Sequence, residues 1–164
     1  MQAFGHASHG DRPREAPPEG DDSAAPLRPR PVVTDLTRPF WEAAREGRLA
    51  AQRCDECGVF RHPPLPQCVH CRSARTSWVD LEPTGRVYQR TVMHERRVHG
   101  FENAVPYLCV AVQLDCAPEL LFVGNIASSE PSEVRIGDPV VAVFDPLPGG
   151  LGLPQFAPIE GGEC

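Results

Sequence analysis

This sequence predicts a mainly β fold preceded by one short helix, and three observations carry that expectation. Pro and Gly account for 19 and 14 of 164 residues, an excess that favours turns and short strands over a helical bundle. Helical periodicity ends near Leu49, after which short β-type runs alternate with Gly and Pro signals. Four cysteines, Cys54, Cys57, Cys68 and Cys71, form two C-x2-C pairs, the spacing of two knuckles that close on one metal. The length suits a single ordinary domain with its own core.

Along the chain, residues 1–34 hold six Pro, three Gly, four Arg and five acidic residues. Such a Pro/Arg-rich tail cannot bury enough apolar surface to offset its ordering entropy and is expected to be disordered. The N-terminal helical segment then spans 35–48, with the helix itself over 39–46. Thr37 is placed as N-cap, Pro39 fits the first turn, Phe40, Ala43 and Ala44 share a face, and Gly47 ends the run. A metal-binding ribbon occupies 49–75, a barrel 76–159 and a short tail 160–164. Strand candidates are 48–53, 77–81, 86–94, 107–114, 120–125 and 140–144, the last five forming the barrel. Gly85, Gly124 and Gly137 sit where a small closed barrel bends or turns. Five short strands suit an OB-type Greek-key barrel, with another small barrel or a sandwich left open by pattern alone. From Pro146 onward the Pro- and Gly-rich chain is expected to be irregular.

Several chemistries are excluded early. All 16 basic residues are Arg and none is Lys, which removes Schiff-base catalysis and the phosphate-binding Lys of a P-loop. No apolar run approaches the roughly 20 residues of a membrane span, and the first ten residues lack the apolar stretch of a signal peptide. The expected location is therefore cytoplasmic, with no membrane partner. In that compartment Cys54, Cys57, Cys68 and Cys71 are expected to hold a structural Zn2+ in a closed four-sulfur site with no open position for a reactive water. Iron, or a metal-free set of cysteines as a pair of disulfides or as free thiols, is the alternative that the spacing leaves open. Loss of one ligand is expected to unfold the ribbon and spare the barrel. Cys109, in the run LCVAV, reads as a small core residue, and Cys116 falls at a strand end.

The order of motifs is itself informative: PFWEAAREGRL, then QRCDECG, HPPLPQCVHC, WVDLEPTGRVYQRTVMH, VPYLCVAVQLD and IGDPVVAVF. Over about residues 38–159 it resembles the family in which a rubredoxin-like zinc ribbon precedes an OB-fold, catalogued as the thirty-fifth domain of unknown function. The resemblance implies a non-catalytic accessory subunit. Its partner would be a thiolase-like or aldolase enzyme of acyl-CoA metabolism, or a MaoC-type enoyl-CoA hydratase, and the barrel would bind an acyl-CoA thioester.

Charge supplies a separate argument. Residues 45–97 carry ten Arg against six acidic residues, whereas 98–164 carry one against nine. Arg86, Arg90, Arg96 and Arg97 lie on one strand and the loop after it, where they could grip a nucleotide phosphate or a carboxylate, which the resemblance implies would be the phosphates of an acyl-CoA. Phe101 and Tyr107, flanking the loop 98–106, would hold its acyl or pantetheine chain. Phe40 and Trp41 are adjacent, so on a helix they point about 100° apart and cannot both enter one small core; the pair is expected to anchor a partner interface. A zinc ribbon with an OB barrel could instead bind single-stranded nucleic acid. A formal net charge of -6 and the acidic second half argue against that alternative. A self-sufficient enzyme would need an acid/base or nucleophile constellation, and neither G-x-S-x-G nor H-E-x-x-H occurs.

Overall fold

The computed structural model describes residues 29–127, 133–147 and 150–159. Most of the expected N-terminal tail (1–28) and the segment 160–164 lie outside the described residues. In chain order the elements are α1 (Arg38–Arg45), β1 (Leu49–Cys54), β2 (Phe60–Arg61), β3 (Thr76–Leu81), β4 (Thr84–Met93), β5 (Tyr107–Leu114), β6 (Leu121–Asn125), β7 (Pro139–Leu147) and β8 (Leu151–Pro158). The fold is mainly β with one short helix, as the sequence predicts.

Pro39 stands in the first turn of α1, and Phe40, Ala43 and Ala44 are its buried face. Thr37 occupies the N-cap position but makes no side-chain cap bond; its hydroxyl is taken up by Thr34, whose backbone N–H donates to it at 2.9 Å. At the other end the N–H groups of Gly47 and Arg48 donate to the carbonyls of Ala44 and Ala43. Gly47 takes φ +74°, the left-handed residue that such a paired C-terminal closure requires.

Two antiparallel sheets follow. The first has order β2-β1-β3, and the second has order β6-β5-β4-β7-β8. A parallel bridge between Ile126 and Phe156 brings β6 back to β8, which curls the second sheet toward closure. Five strands make this sheet, but their membership corrects the sequence expectation at both ends. The segment 76–81 pairs with β1 throughout, from Leu49↔Leu81 to Cys54↔Thr76, and so completes the ribbon. The fifth barrel strand is β8, in the Pro- and Gly-rich segment expected to be irregular. It pairs with β7 over eight positions, from Val140↔Pro158 to Leu147↔Leu151. Pro154 and Pro158 are tolerated there because β8 is an edge strand, where a missing N–H breaks no ladder on the outer side. Gly152 of β8 is placed by packing: a Cβ there would come within 2.2 Å of the Ala44 carbonyl oxygen, so only glycine lets α1 lie on this strand.

The ribbon and the barrel share one core. Leu49 and Ala51 of β1 and Phe40 of α1 belong to the same buried cluster as Val87, Leu108, Val110, Val112, Phe122 and Phe156. His62 binds the units together: its ring stacks on Phe122 at 4.0 Å and 20°, and lies 4.9 Å from Phe40. Burial without a counter-charge lowers its pKa to about 4, so the ring is a neutral aromatic at neutral pH.

Candidate metal centre and ligand surfaces

The two knuckles repeat one backbone design. Gly58 N–H donates to the Cys54 carbonyl and Arg72 N–H to the Cys68 carbonyl, each at 2.9 Å. Cys54 N–H donates to Val59 and Cys68 N–H to Ser73. The residue after the second cysteine is left-handed in both, Gly58 at φ +74° and Arg72 at φ +62°. Gly58 is legible in the sequence as the residue that lets the first knuckle curl; Arg72 does the same task with a side chain that gives no such signal.

This repeat brings four sulfurs together within 4.8 Å of one another. Cys54 Sγ lies 3.5 Å from Cys71 Sγ, and Cys57 Sγ lies 3.6 Å from Cys68 Sγ. Those separations suit a tetrahedral zinc, whose roughly 2.3 Å bonds place sulfurs about 3.8 Å apart. They are also too long for disulfide bonds, which are about 2.05 Å. Amide donors favour the thiolate at the first cysteine of each pair. The Cys57 amide, then that of Glu56, lowers the Cys54 pKa, and the Cys71 amide, then that of His70, brings Cys68 to about 6. Four sulfur donors leave no protein-free position, so a bound zinc here would cross-link the two knuckles and do no chemistry.

The basic strand does not form a single grip. A β-bulge between Val87 and Gln89 shifts the register of β4 against β5. Arg86 lies level with Gln113 on the outer face, and Arg90 lies level with the buried Val110 on the inner face. One extra residue therefore turns two arginines to opposite sides of the sheet, where a regular strand would put both on the same side. Arg86 Nη1 donates to the Gly137 carbonyl. Arg97 is held by Glu95 through Nε at 3.0 Å and Nη2 at 2.8 Å, while Arg96 is exposed. Phe101 and Tyr107 do meet, with ring centroids 4.8 Å apart. Cys109, expected in the core, stands half-buried on the outer side of β5, opposite in sense to Leu108 and Val110.

Phe40 is likewise corrected. It is buried in the common core and lies tilted against the His62 ring, so it offers little surface to a partner. Its neighbour Trp41 meets it edge-on at 4.9 Å and 76° and lines an open cavity of about 360 Å³ with Arg30, Pro31, Val33, Arg38, Glu42, Arg45, Gly150 and Leu151. Sequence reasoning did not single out Arg38 and Arg45, although with Trp41 they form an i, i+3, i+7 stripe on one helix face, a signal that periodicity could have supplied.

With this geometry in place, comparison with known proteins is informative. Residues 41–77 match the family described as "ChsH2, rubredoxin-like zinc ribbon domain", and residues 78–145 match "ChsH2, C-terminal OB-fold domain". A solved structure described as "Ltp2-ChsH2(DUF35) aldolase" superimposes with TM-score 0.69 at 34% identity, over 79% of this chain and 98% of that one. A DUF35-family protein from Sulfolobus solfataricus shares the fold, with TM-score 0.52 and 14% identity over 76% of this chain and 86% of that one. A probable enoyl-CoA hydratase alpha subunit from Thermomonospora curvata is 38% identical over 132 residues, which are 80% of this chain and 40% of that protein. The chain thus spans less than half the length of this curated relative. Among the described residues no helix is long and apolar enough to cross a membrane.

Proposed function

The chain belongs to the ChsH2 (DUF35) family of paired zinc-ribbon and OB-fold units, and from that premise we propose that it is an accessory subunit of an acyl-CoA enzyme. The observation that carries the reading is the match to nearly the full length of a chain from an aldolase assembly. The hydratase alpha subunit named above supports the same class of partner. On this reading the enzyme is a thiolase-like or retro-aldolase subunit, with a MaoC-type hydratase as the other candidate, and it supplies the reacting groups. This chain contributes a metal-stapled scaffold and part of the substrate passage.

Cys54, Cys57, Cys68 and Cys71 would hold Zn2+ and keep β1, β2 and β3 in register against the barrel. The paired rings of Phe101 and Tyr107 would receive the acyl or pantetheine portion of a CoA thioester. The arginine grip is narrower than the sequence suggests, because Arg86 faces away from Arg90 and Arg97 is engaged by Glu95. Arg96, in the same loop, is then the residue on which phosphate attraction at this site most depends. Co-expression with a thiolase-like, retro-aldolase or MaoC-type acyl-CoA enzyme tests the proposal. A stable hetero-oligomer is expected, with turnover only in the assembled form. Turnover by the purified chain alone, surviving repurification, would overturn it.

A further inference from the structure

The cavity against α1 has a charge opposite to that of the chain. Arg30, Arg38 and Arg45 line it against the single carboxylate of Glu42, while the whole chain carries a formal -6. Arg30, Arg45 and Glu42 make no ion pair among the described residues, and Arg38 has only the fully exposed Asp35, at 3.0 Å. Exposed pairs of that kind contribute little and exchange readily. Three guanidinium groups around one space repel one another until an anion joins them, and phosphate oxygens match their forked donors best.

The remaining wall is largely apolar. Trp41 is fixed by its edge-on contact with the buried Phe40, so its indole is presented to the cavity without a large ordering cost. Pro31, Val33 and Leu151 add apolar lining. Gly150, at φ +78°, makes the left-handed turn into β8 beside Arg45. A volume of about 360 Å³ falls within the range of small-molecule sites.

We propose that this cavity binds a purine nucleotide: Arg30, Arg38 and Arg45 hold the phosphates and the base stacks on Trp41. Stacking on an indole and guanidinium contacts to phosphate are the two interactions such a ligand offers together. The site is separate from the Phe101–Tyr107 loop and the proposal is independent of the acyl-CoA reading. Leu151 pairs with Leu147 at the far end of β7 from Val140 and Val141, which pair with the first residues of β4; the loop follows the other end of β4. The nucleotide could be free, or the adenosine 3′,5′-diphosphate end of CoA.

Titration of the full chain with ADP, adenosine 3′,5′-diphosphate, CoA, adenosine and pyrophosphate, followed by calorimetry and tryptophan fluorescence, tests this. ADP and adenosine 3′,5′-diphosphate are expected to bind saturably, with adenosine and pyrophosphate at least tenfold weaker. Arg38→Ala/Arg45→Ala should weaken nucleotide binding at least tenfold while leaving the circular dichroism and melting curve unchanged. Because Trp41 also packs on the core, Trp41→Phe serves beside Trp41→Leu: it keeps the packing and should lose severalfold in affinity. An equal loss for CoA identifies CoA as the source of the nucleotide, and a loss for ADP alone identifies a free nucleotide. Absence of saturable ADP binding up to millimolar concentration, or binding indifferent to the double arginine variant, overturns the proposal, as does pyrophosphate binding as tightly as ADP.

Discussion

Removing the metal should unfold more than the ribbon. A zinc held by four cysteines contributes on the order of 10 kcal/mol or more to the folding of its knuckles, comparable to the roughly 5–15 kcal/mol that stabilises a whole domain. Without it, four thiols held within 4.8 Å lose the only group that can bind all of them, and the ribbon is released. The barrel then loses what the ribbon had covered. Leu49 is buried against it, worth about 1.5–3 kcal/mol. The His62 ring stacked on Phe122 at 4.0 Å adds about 0.5–1.5 kcal/mol, and Phe40 loses one wall of its pocket. Together the Leu49 and His62 contacts are worth about 2–4.5 kcal/mol to the barrel. Chelation with a colorimetric zinc indicator, monitored in parallel by amide hydrogen exchange, should show β5 amides losing protection in the same transition that releases the metal. If Val110 and Val112 keep full protection in the metal-free chain, ribbon and barrel are independent and the shared-core argument fails. Cys57→Ser should reproduce the metal-free state.

Three further outcomes follow from the packing. His62 has a folded pKa of about 4 against 6.5, so its contribution is fully present above pH 6.5 and is lost as pH falls from there toward 4; urea midpoints should drop by the equivalent of about 3 kcal/mol across that window, and His62→Phe should flatten the dependence. Arg61 is 4% exposed, with Nε, Nη1 and Nη2 all buried and without acceptors among the described residues; Arg61→Met should raise the melting temperature, by the equivalent of about 1–3 kcal/mol, and a lower melting temperature would refute this account of it. Gly152→Ala should cost about 1–3 kcal/mol or more, by forcing α1 off β8, and differential scanning calorimetry showing no loss would refute the close approach.

What could be read from the sequence was what local chemistry determines. Gly47 ends the helix because a left-handed residue is needed there, and the C-x2-C pairs declare their knuckles because sulfur spacing is a local constraint. The partner of a strand is not local. Residues 77–81 read correctly as a strand, yet nothing in them distinguishes pairing with β1 from pairing with β4. In β8, Pro154, Pro158 and Gly152 look like breakers until the edge position and the contact with Ala44 explain each. The bulge at Tyr88 is also invisible in the sequence, and it alone determines that Arg86 and Arg90 face apart.

Charge shows the same limit in another form. Counting along the chain gathered the arginines of residues 45–97 and pointed to the strand ending near Arg97. Folding regroups them: Arg86 turns outward, Arg97 is taken by Glu95, and the cavity assembles Arg45 with Arg30 and Arg38, which lie before that window. The helix makes the difference. Residues at its third and seventh steps from Arg38 return to the same side, and the following residue at each step is carried about 100° away. That angle sends Phe40 inward, against the His62 ring that stacks on Phe122, and leaves Trp41 on the rim beside Arg38 and Arg45. Of the two adjacent aromatics, one ring completes a core that spans ribbon and barrel, and the other lines the cavity with Arg38 and Arg45.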